Sequence, residues 1–244
     1  MEILKGLATV NAYPALYLEK YNAVIVADLH IGFEAALEKD GIHIPVSMYP
    51  KMKAQLTSLL DETKAERVIF LGDVKHEFGE PSVQEWVEVK DLLGWLMERG
   101  VSVDVVRGNH DNYIIRILKK YDNVTLHDPV MFLEDIMLAH GHKSFEIPSE
   151  VRVVILAHEH PAISVKDKSG AKYKFKCFLV GKYKEVDLVV IPSFSPLAVG
   201  VSINEAPKEE LLTPMLHEVD LGEFTPIVVE KDVGAFKFPP LKFL

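Results

Sequence analysis

Cysteine is almost absent from this 244-residue chain. Cys177 stands alone, so no internal disulfide is possible, and its place in the run Tyr173 to Val180 reads as a packed strand residue. Long apolar runs are missing too. None approaches the roughly 18 residues a membrane-spanning helix needs. The opening Met1-Glu-Ile-Leu-Lys5 lacks the layout of a signal peptide. Together these absences predict a cytoplasmic protein without membrane contact. Basic residues are outnumbered, and the formal net charge is −9, which argues against an extended basic nucleic-acid footprint. A local positive site inside an acidic shell remains compatible with that balance. No internal repeat, low-complexity tract or linker interrupts the chain, so residues 1–244 read as one domain.

What the sequence does contain is a recurring pattern: an aliphatic run that ends in polar, metal-capable residues. Ala23–Ala27 leads into Asp28-Leu-His30, and Arg67–Leu71 leads into Gly72-Asp-Val-Lys-His76. Val101–Val106 leads into Arg107-Gly-Asn-His-Asp111, Asp135–Ala139 into His140-Gly-His142, and Val151–Ala157 into His158-Glu-His160. Such short, continuous apolar runs suit strands buried on both faces of a sheet. Helical patterns separate the first three runs, over Ile31–Asp40, Met48–Thr63 and Ser82–Arg99. Ser82 with Glu85 forms a capping-box signature, and Trp86 and Trp95 read as core. Beyond residue 123 the signals change to short strands: a hairpin over Ile163–Val180, a strand at Asp187–Ile191, and edge strands in the proline-punctuated tail from Ile203 to Leu244.

In open α/β sheets ligands gather at the carboxyl ends of the strands, where all five clusters fall. Seven of the ten histidines lie within them. Asp28, Asp73 or Asp111 alone would read as a helix cap, Asn109 alone as a turn residue, and a single histidine as a satisfied core group. Taken jointly, those readings leave many polar side chains converging without partners. Residues two apart on an extended segment share a side, which predicts that Asp28 and His30 reach one ion together and that His158 and His160 reach two neighbouring ions. His43, His127 and His217 lack such context and read as surface residues. Lys166, Lys168, Lys172, Lys174, Lys176, Lys182 and Lys184 form either a local basic ribbon or the solvated face of a hairpin.

The ordered series Asp-x-His, Gly-Asp, Gly-Asn-His-Asp, His and His-x-His resembles the calcineurin-like metallophosphoesterase superfamily. The resemblance covers a core of about residues 22–200, leaving 201–244 as an extension. It implies an α/β fold, a four-layer αββα sandwich of two mixed β-sheets flanked by helices. It also implies two divalent ions, manganese foremost, with iron, nickel, cobalt or zinc as alternatives. Asp28, His30, Asp73 and His160 would hold the first ion, and Asp73, Asn109, His140 and His158 the second. The family's ligand is the first histidine of its His-Gly-His, which moves His142 to a supporting or substrate-facing place. Ala157 departs from the family's usual glycine.

The implied reaction is phosphoester hydrolysis by a metal-bridging hydroxide. His110 matches the family's catalytic histidine, with Asp111 orienting its ring, while Asp111 also caps a helix over Asn112–Lys120. His76 and Pro192-Ser-Phe-Ser-Pro196 resemble the small SbcD-related phosphoesterases, a branch that includes prokaryotic proteins associated with DNA ligases and helicases. That resemblance implies phosphodiesters of nucleic acid or nucleotides as substrates, DNA or RNA ends among them, and DNA-repair proteins as partners. The chain after Pro196 is too short for the capping domain and partner-binding arm of the full nuclease subunit. The alternatives are a phosphomonoesterase acting on nucleotides or phosphoproteins, and a non-catalytic scaffold of the same fold. Filled ligand positions speak against the scaffold.

Overall fold

The aliphatic runs become strands in the computed structural model, which describes residues 1–231 and 233–244. Seven strands form the first sheet in chain order: β1 (Glu2–Leu4), β2 (Leu7–Thr9), β3 (Leu16–Leu18), β4 (Ala23–Val26), β5 (Arg67–Leu71), β6 (Ser102–Val106) and β7 (Val124–His127). β1 to β4 pair antiparallel and β4 to β7 pair parallel. The parallel steps need crossovers. These are supplied by α1 (Phe33–Lys39) and α2 (Tyr49–Thr63), by α3 (Val83–Glu98), and by the single turn α4 (Ile115–Leu118). At the start of α3, the Ser82 hydroxyl accepts from the Glu85 N–H while the Glu85 carboxylate accepts from the Ser82 N–H, the capping box expected there.

The second sheet holds β8 (Val130–Leu133), β9 (Ile136–Ala139), β10 (Val153–Leu156), β11 (Pro161–Lys166), β12 (Lys172–Tyr183), β13 (Val186–Val190), β14 (Val201–Ser202), β15 (Thr225–Glu230) and β16 (Gly234–Lys237). Its main order is β14-β11-β12-β13-β10-β9-β8, with β15 and β16 extending from β12. The expected hairpin is β11–β12, and the tail contributes β15 and β16.

Alternating side chains on each strand sort into separate layers. Val24, Val26, Phe70 and Val105 pack outward against Leu56 and Leu59 of α2 and Leu92 and Leu96 of α3. Ile25, Ile69 and Val106 face inward onto Leu138, Ile155, Phe178 and Val189, welding the two sheets together. Behind the second sheet, Val154, Leu156 and Val190 are covered by Met215, Leu216 and Phe224, which lie on and beside short 3-10 turns rather than long helices. The result is two mixed β-sheets flanked by helical layers. Trp86 and Trp95 pack against the α-side core as expected, and Cys177 is buried on β12. No described helix is long and apolar enough to cross a membrane.

Expected and observed elements part company after Asp111. In place of a helix over Asn112–Lys120, the chain makes only the four-residue α4, with Ile114 at its N-cap position. The Asp111 carboxylate is already committed elsewhere, and Tyr113 adopts a left-handed φ of 64° that breaks the helical path.

Phe178 is fully buried between the sheets. Phe178→Ala should therefore lower unfolding stability by about 3–5 kcal/mol, measured as a lower urea midpoint with an unchanged slope.

Candidate functional site

The loops following β4 and β5 are bound to each other. Asp28 donates its N–H to Gly72 O (3.0 Å), His30 to Asp73 O (2.9 Å) and Ile31 to Val74 O (3.0 Å). This zipper fixes a backbone that departs from the extended geometry expected of Asp28-Leu-His30. Asp28, His30, Asp73, His158 and His160 all lie in the left-handed region, with φ of 53°, 46°, 50°, 69° and 49°. In the loops after β4, β5 and β10 left-handed residues thus replace the extended step, correcting the same-side extended reading. Such conformations persist where surrounding structure over-determines them, and they cluster at functional sites. Two glycines permit the close approach. A Cβ on Gly72 would overlap the His140 ring, and one on Gly108 would overlap the Asp73 carboxylate.

The two sheets contribute opposite halves of one cluster. Ligand atoms of Asp28, His30 and His160 lie within 4.8 Å of one another, as do those of Asp73, His140 and His158. Between the groups, His140 Nε2 is 2.9 Å from Asp28 Oδ1 and 3.4 Å from Asp73 Oδ2. Asp73 Oδ2 also lies 4.0 Å from His30 Nε2, and His160 Nε2 is 3.3 Å from Asp28 Oδ1. His158 donates its backbone N–H to Asp28 Oδ2 (3.2 Å).

Burial sets the electrostatics. It opposes ionisation of Asp28, but His160 and His140 hold that carboxyl well below its ordinary range. For Asp73 burial wins, aided by the neighbouring Asp111 and Asp28 carboxylates, and pushes the carboxyl up to about 7. His140 is raised despite burial, because Asp73 and Asp28 face it. Burial lowers His30 and takes His158 down to about 3 and His142 to about 4, the latter two with help from His140. Crowded buried carboxylates beside imidazoles form a mixed oxygen and nitrogen donor set suited to divalent cations. Asn109 completes that fit: its Oδ1 is buried and has no hydrogen-bond partner, an expensive state unless an ion takes up the oxygen.

A third group, His30, His76 and His110, adjoins the first two, again with ligand atoms within 4.8 Å. His76 stacks on Phe33 at 4.2 Å between ring centroids, and Phe78 stacks on His110 at 3.7 Å. His110 Nδ1 faces the His76 carbonyl oxygen. Since a carbonyl only accepts, Nδ1 carries the hydrogen and Nε2 is free for other work. This corrects the expected role of Asp111. Its carboxylate accepts from the N–H groups of Gly108 (2.9 Å), Val74 (2.9 Å) and Lys75 (3.4 Å), and so fixes the loops rather than the imidazole or a helix. His142 Nδ1 lies 3.1 Å from His140 Nδ1, behind the cluster's edge.

Three supporting residues escaped sequence reasoning. The fully buried Lys75 donates from Nζ to the carbonyls of His110 (2.6 Å), Gly79 (3.1 Å) and Glu77. Buried Glu85 accepts from the N–H groups of His76 (2.8 Å) and Glu77 (2.7 Å). Lys176 reaches the carbonyls of Ser193 (2.8 Å) and Ser195 (2.6 Å), and burial lowers its ammonium to about 8. The Ser193–Ser195 segment in turn binds the Asp28 carbonyl through Ser193 Oγ (2.8 Å) and the Ser195 N–H (3.2 Å). The only prior signal for Lys176 was its place in a lysine-rich alternation. With Lys176 half-buried and bonded to backbone carbonyls, Lys172 paired to Glu205 and Lys182 paired to Asp187, that alternation is no continuous basic ribbon. His43 and His217 stay apart from the cluster, while His127 is half-buried against Asp104 (2.6 Å) rather than a free surface group.

Comparison with known proteins agrees with this architecture. The crystal structure of Pseudomonas putida nuclease MPE superposes over 92% of each chain at a TM-score of 0.64 and 20% identity, a likeness of fold. The Escherichia coli phosphoesterase Yfce overlaps more loosely, with a TM-score of 0.45 and 16% identity over 89% of this chain and 98% of its own. No curated protein matches in sequence. The calcineurin-like phosphoesterase profile matches residues 21–191, which contain the strands and loops of all three histidine groups. The chain belongs to the calcineurin-like phosphoesterase family, and it is a metal-dependent phosphoester hydrolase.

Proposed function

We propose that the protein is a dinuclear phosphodiesterase acting on nucleic acid or nucleotide diesters. The observation that carries this reading is the pair of adjoining donor groups, Asp28–His30–His160 and Asp73–His140–His158, with Asp73 reaching histidines of both. Asp28, His30, Asp73 and His160 would hold one ion, and Asp73, Asn109, His140 and His158 the other. Manganese is the first candidate, with iron, nickel, cobalt and zinc also suited to mixed nitrogen and oxygen donors. Bound ions would lower the pKa of water and offset charge on the phosphoryl oxygens.

The chain's own residues then divide the remaining work. His110, tethered at Nδ1, presents Nε2, which lies 3.8 Å from Asp73 Oδ2 and so at the edge of the metal cluster. From there an imidazolium can deliver its proton to the leaving oxygen as the phosphorus–oxygen bond breaks. His76 sits across His30 with 3.4 Å between their Nδ1 atoms and orients the phosphate. Lys75 ties the His110 and His76–Gly79 loops together, so its role is positioning. The presence of His76 in Gly72-Asp-Val-Lys-His76, together with Pro192–Pro196, supports the SbcD-related branch. The nuclease named for the Pseudomonas putida structure is consistent with a diester substrate.

Chelated protein re-supplied with Mn²⁺ should regain hydrolysis of a diester in preference to the matched monoester. Recovery with no divalent ion on either ester would sink the enzyme reading, and a monoester preference would sink the diester one. His110→Ala should lower kcat by about 10²- to 10⁴-fold while retaining its ions, whereas Asp73→Ala should lose both ions by elemental analysis. Equal metal loss in the two variants would contradict the division of roles. Lys75→Met should cost about 1–3 kcal/mol of stability through its stranded carbonyls and lower kcat more than it changes KM. An unchanged kcat in a folded variant would remove Lys75 from the positioning scheme.

A further inference from the structure

Beside His110 lies a cavity of about 850 Å³ that the metal cluster does not use, walled by Phe78, Arg107, Asp111, Asn112, Tyr113 and Asp128. Its size suits a ligand group of nucleoside dimensions. Two partly exposed aromatic rings border it: Phe78 is 57% exposed with one face on His110, and Tyr113 is 48% exposed with the Arg116 guanidinium 4.9 Å from its ring centroid. Phe78 also stacks on the His110 ring, its centroid 3.7 Å away with the planes 30° apart, so the cavity shares a wall with the catalytic edge. Tyr113, in the chain between the Gly-Asn-His-Asp loop and α4, is held at φ 64°, a costly conformation for a bulky residue.

The chemistry of the walls narrows the occupant. Arg107 donates to Asp128 Oδ2 and to Asn112 Oδ1, each at 2.7 Å, so its charge is matched within the wall. The Asp111 carboxylate is likewise occupied by three backbone N–H groups. What remains is aromatic surface with the aliphatic Ile115 and Leu126, and the Arg116 cation at the Tyr113 ring is itself paired to Glu80 (2.7 Å). Such a cavity is poor for a phosphate and good for a flat, uncharged heteroaromatic ring. Bases stack on aromatic side chains with energies of about 1–3 kcal/mol each.

Resting on the phosphodiesterase reading, we propose that the Phe78–Tyr113 cavity is a nucleobase subsite. It takes the unpaired base of a nucleotide flanking the scissile phosphate and so sets the enzyme's preference for nucleotide over base-free diesters. The phosphate is left to the metal cluster, and the base docks behind the His110 ring. A base still held in a duplex stack cannot enter, so cleavage should favour unpaired strands.

The test uses a single-stranded oligodeoxynucleotide carrying 2-aminopurine and its abasic counterpart. Metal-chelated protein should quench 2-aminopurine fluorescence, with affinity about tenfold weaker in Phe78→Ala and in Tyr113→Ala and restored in Phe78→Trp. With Mn²⁺ supplied, the ratio of kcat/KM on the base-bearing strand to that on the abasic strand should fall about tenfold in both alanine variants. Absence of quenching by the unsubstituted protein, or quenching equal in all variants, overturns the subsite. A loss of kcat/KM falling equally on both strands also overturns it, because Phe78 would then serve only to pack His110. Quenching without hydrolysis of any diester supports the subsite and removes the phosphodiesterase reading instead.

Discussion

Asp28, Asp73 and Asp111 lie buried in one neighbourhood, and like charges at such range in a poorly screened interior demand compensation. The three carboxylates receive it differently. Asp111 is satisfied by backbone N–H groups and becomes a fixed strut between two loops. Asp28 is matched by the His140 and His160 imidazoles. Asp73 accepts a backbone N–H from His110 and faces His140, but burial, with Asp111 and Asp28 nearby, still pushes its carboxyl up. The deficit left at Asp73, beside the orphaned Asn109 oxygen, defines what the cluster lacks and what a divalent cation supplies.

That deficit persists only because the backbone around it is held rigidly. The left-handed residues Asp28, His30, Asp73, His158 and His160 would relax if exposed singly. Here the N–H groups of Asp28, His30 and Ile31 bind the neighbouring loop, while the Ser193–Ser195 segment, itself capped by Lys176, clasps the carbonyl of Asp28. Lys75 and Glu85 act similarly on the His76–Gly79 segment from opposite sides, one binding carbonyls and the other N–H groups. Buried charge in this protein shapes loops before it takes part in any chemistry.

The sequence made the parallel strands legible because they are buried on both faces, so each is an uninterrupted aliphatic run. The clusters stood out because histidine and aspartate rarely recur behind such runs without a common purpose. The helix α3 was legible from its apolar periodicity, and its start from Ser82 and Glu85, since capping is local. Asp111 was misread for the opposite reason: besides the local Gly108, its partners Val74 and Lys75 are 37 and 36 residues away, across a loop pairing that no local pattern reveals. Left-handed φ at Asp28 and His30 was hidden for the same cause, as nothing in Asp-Leu-His distinguishes a curl from an extended step. Nothing local marks Lys75, and Lys176 lies in an alternating lysine series; their carbonyl partners at His110 and at Ser193 and Ser195 come from the tertiary fold.

The seam between the sheets has a consequence for how the molecule matures. Asp28, His30, Asp73 and Asn109 follow strands of the first sheet, whereas His140, His158 and His160 follow strands of the second. Neither half possesses a complete donor set. On the proposed ligand set, the first sheet precedes the second in the chain and must await β9 and β10 before an ion can be held from both sides. Ion capture is therefore a late checkpoint, one that rewards correct docking of the two sheets and passes over chains in which either has gone astray.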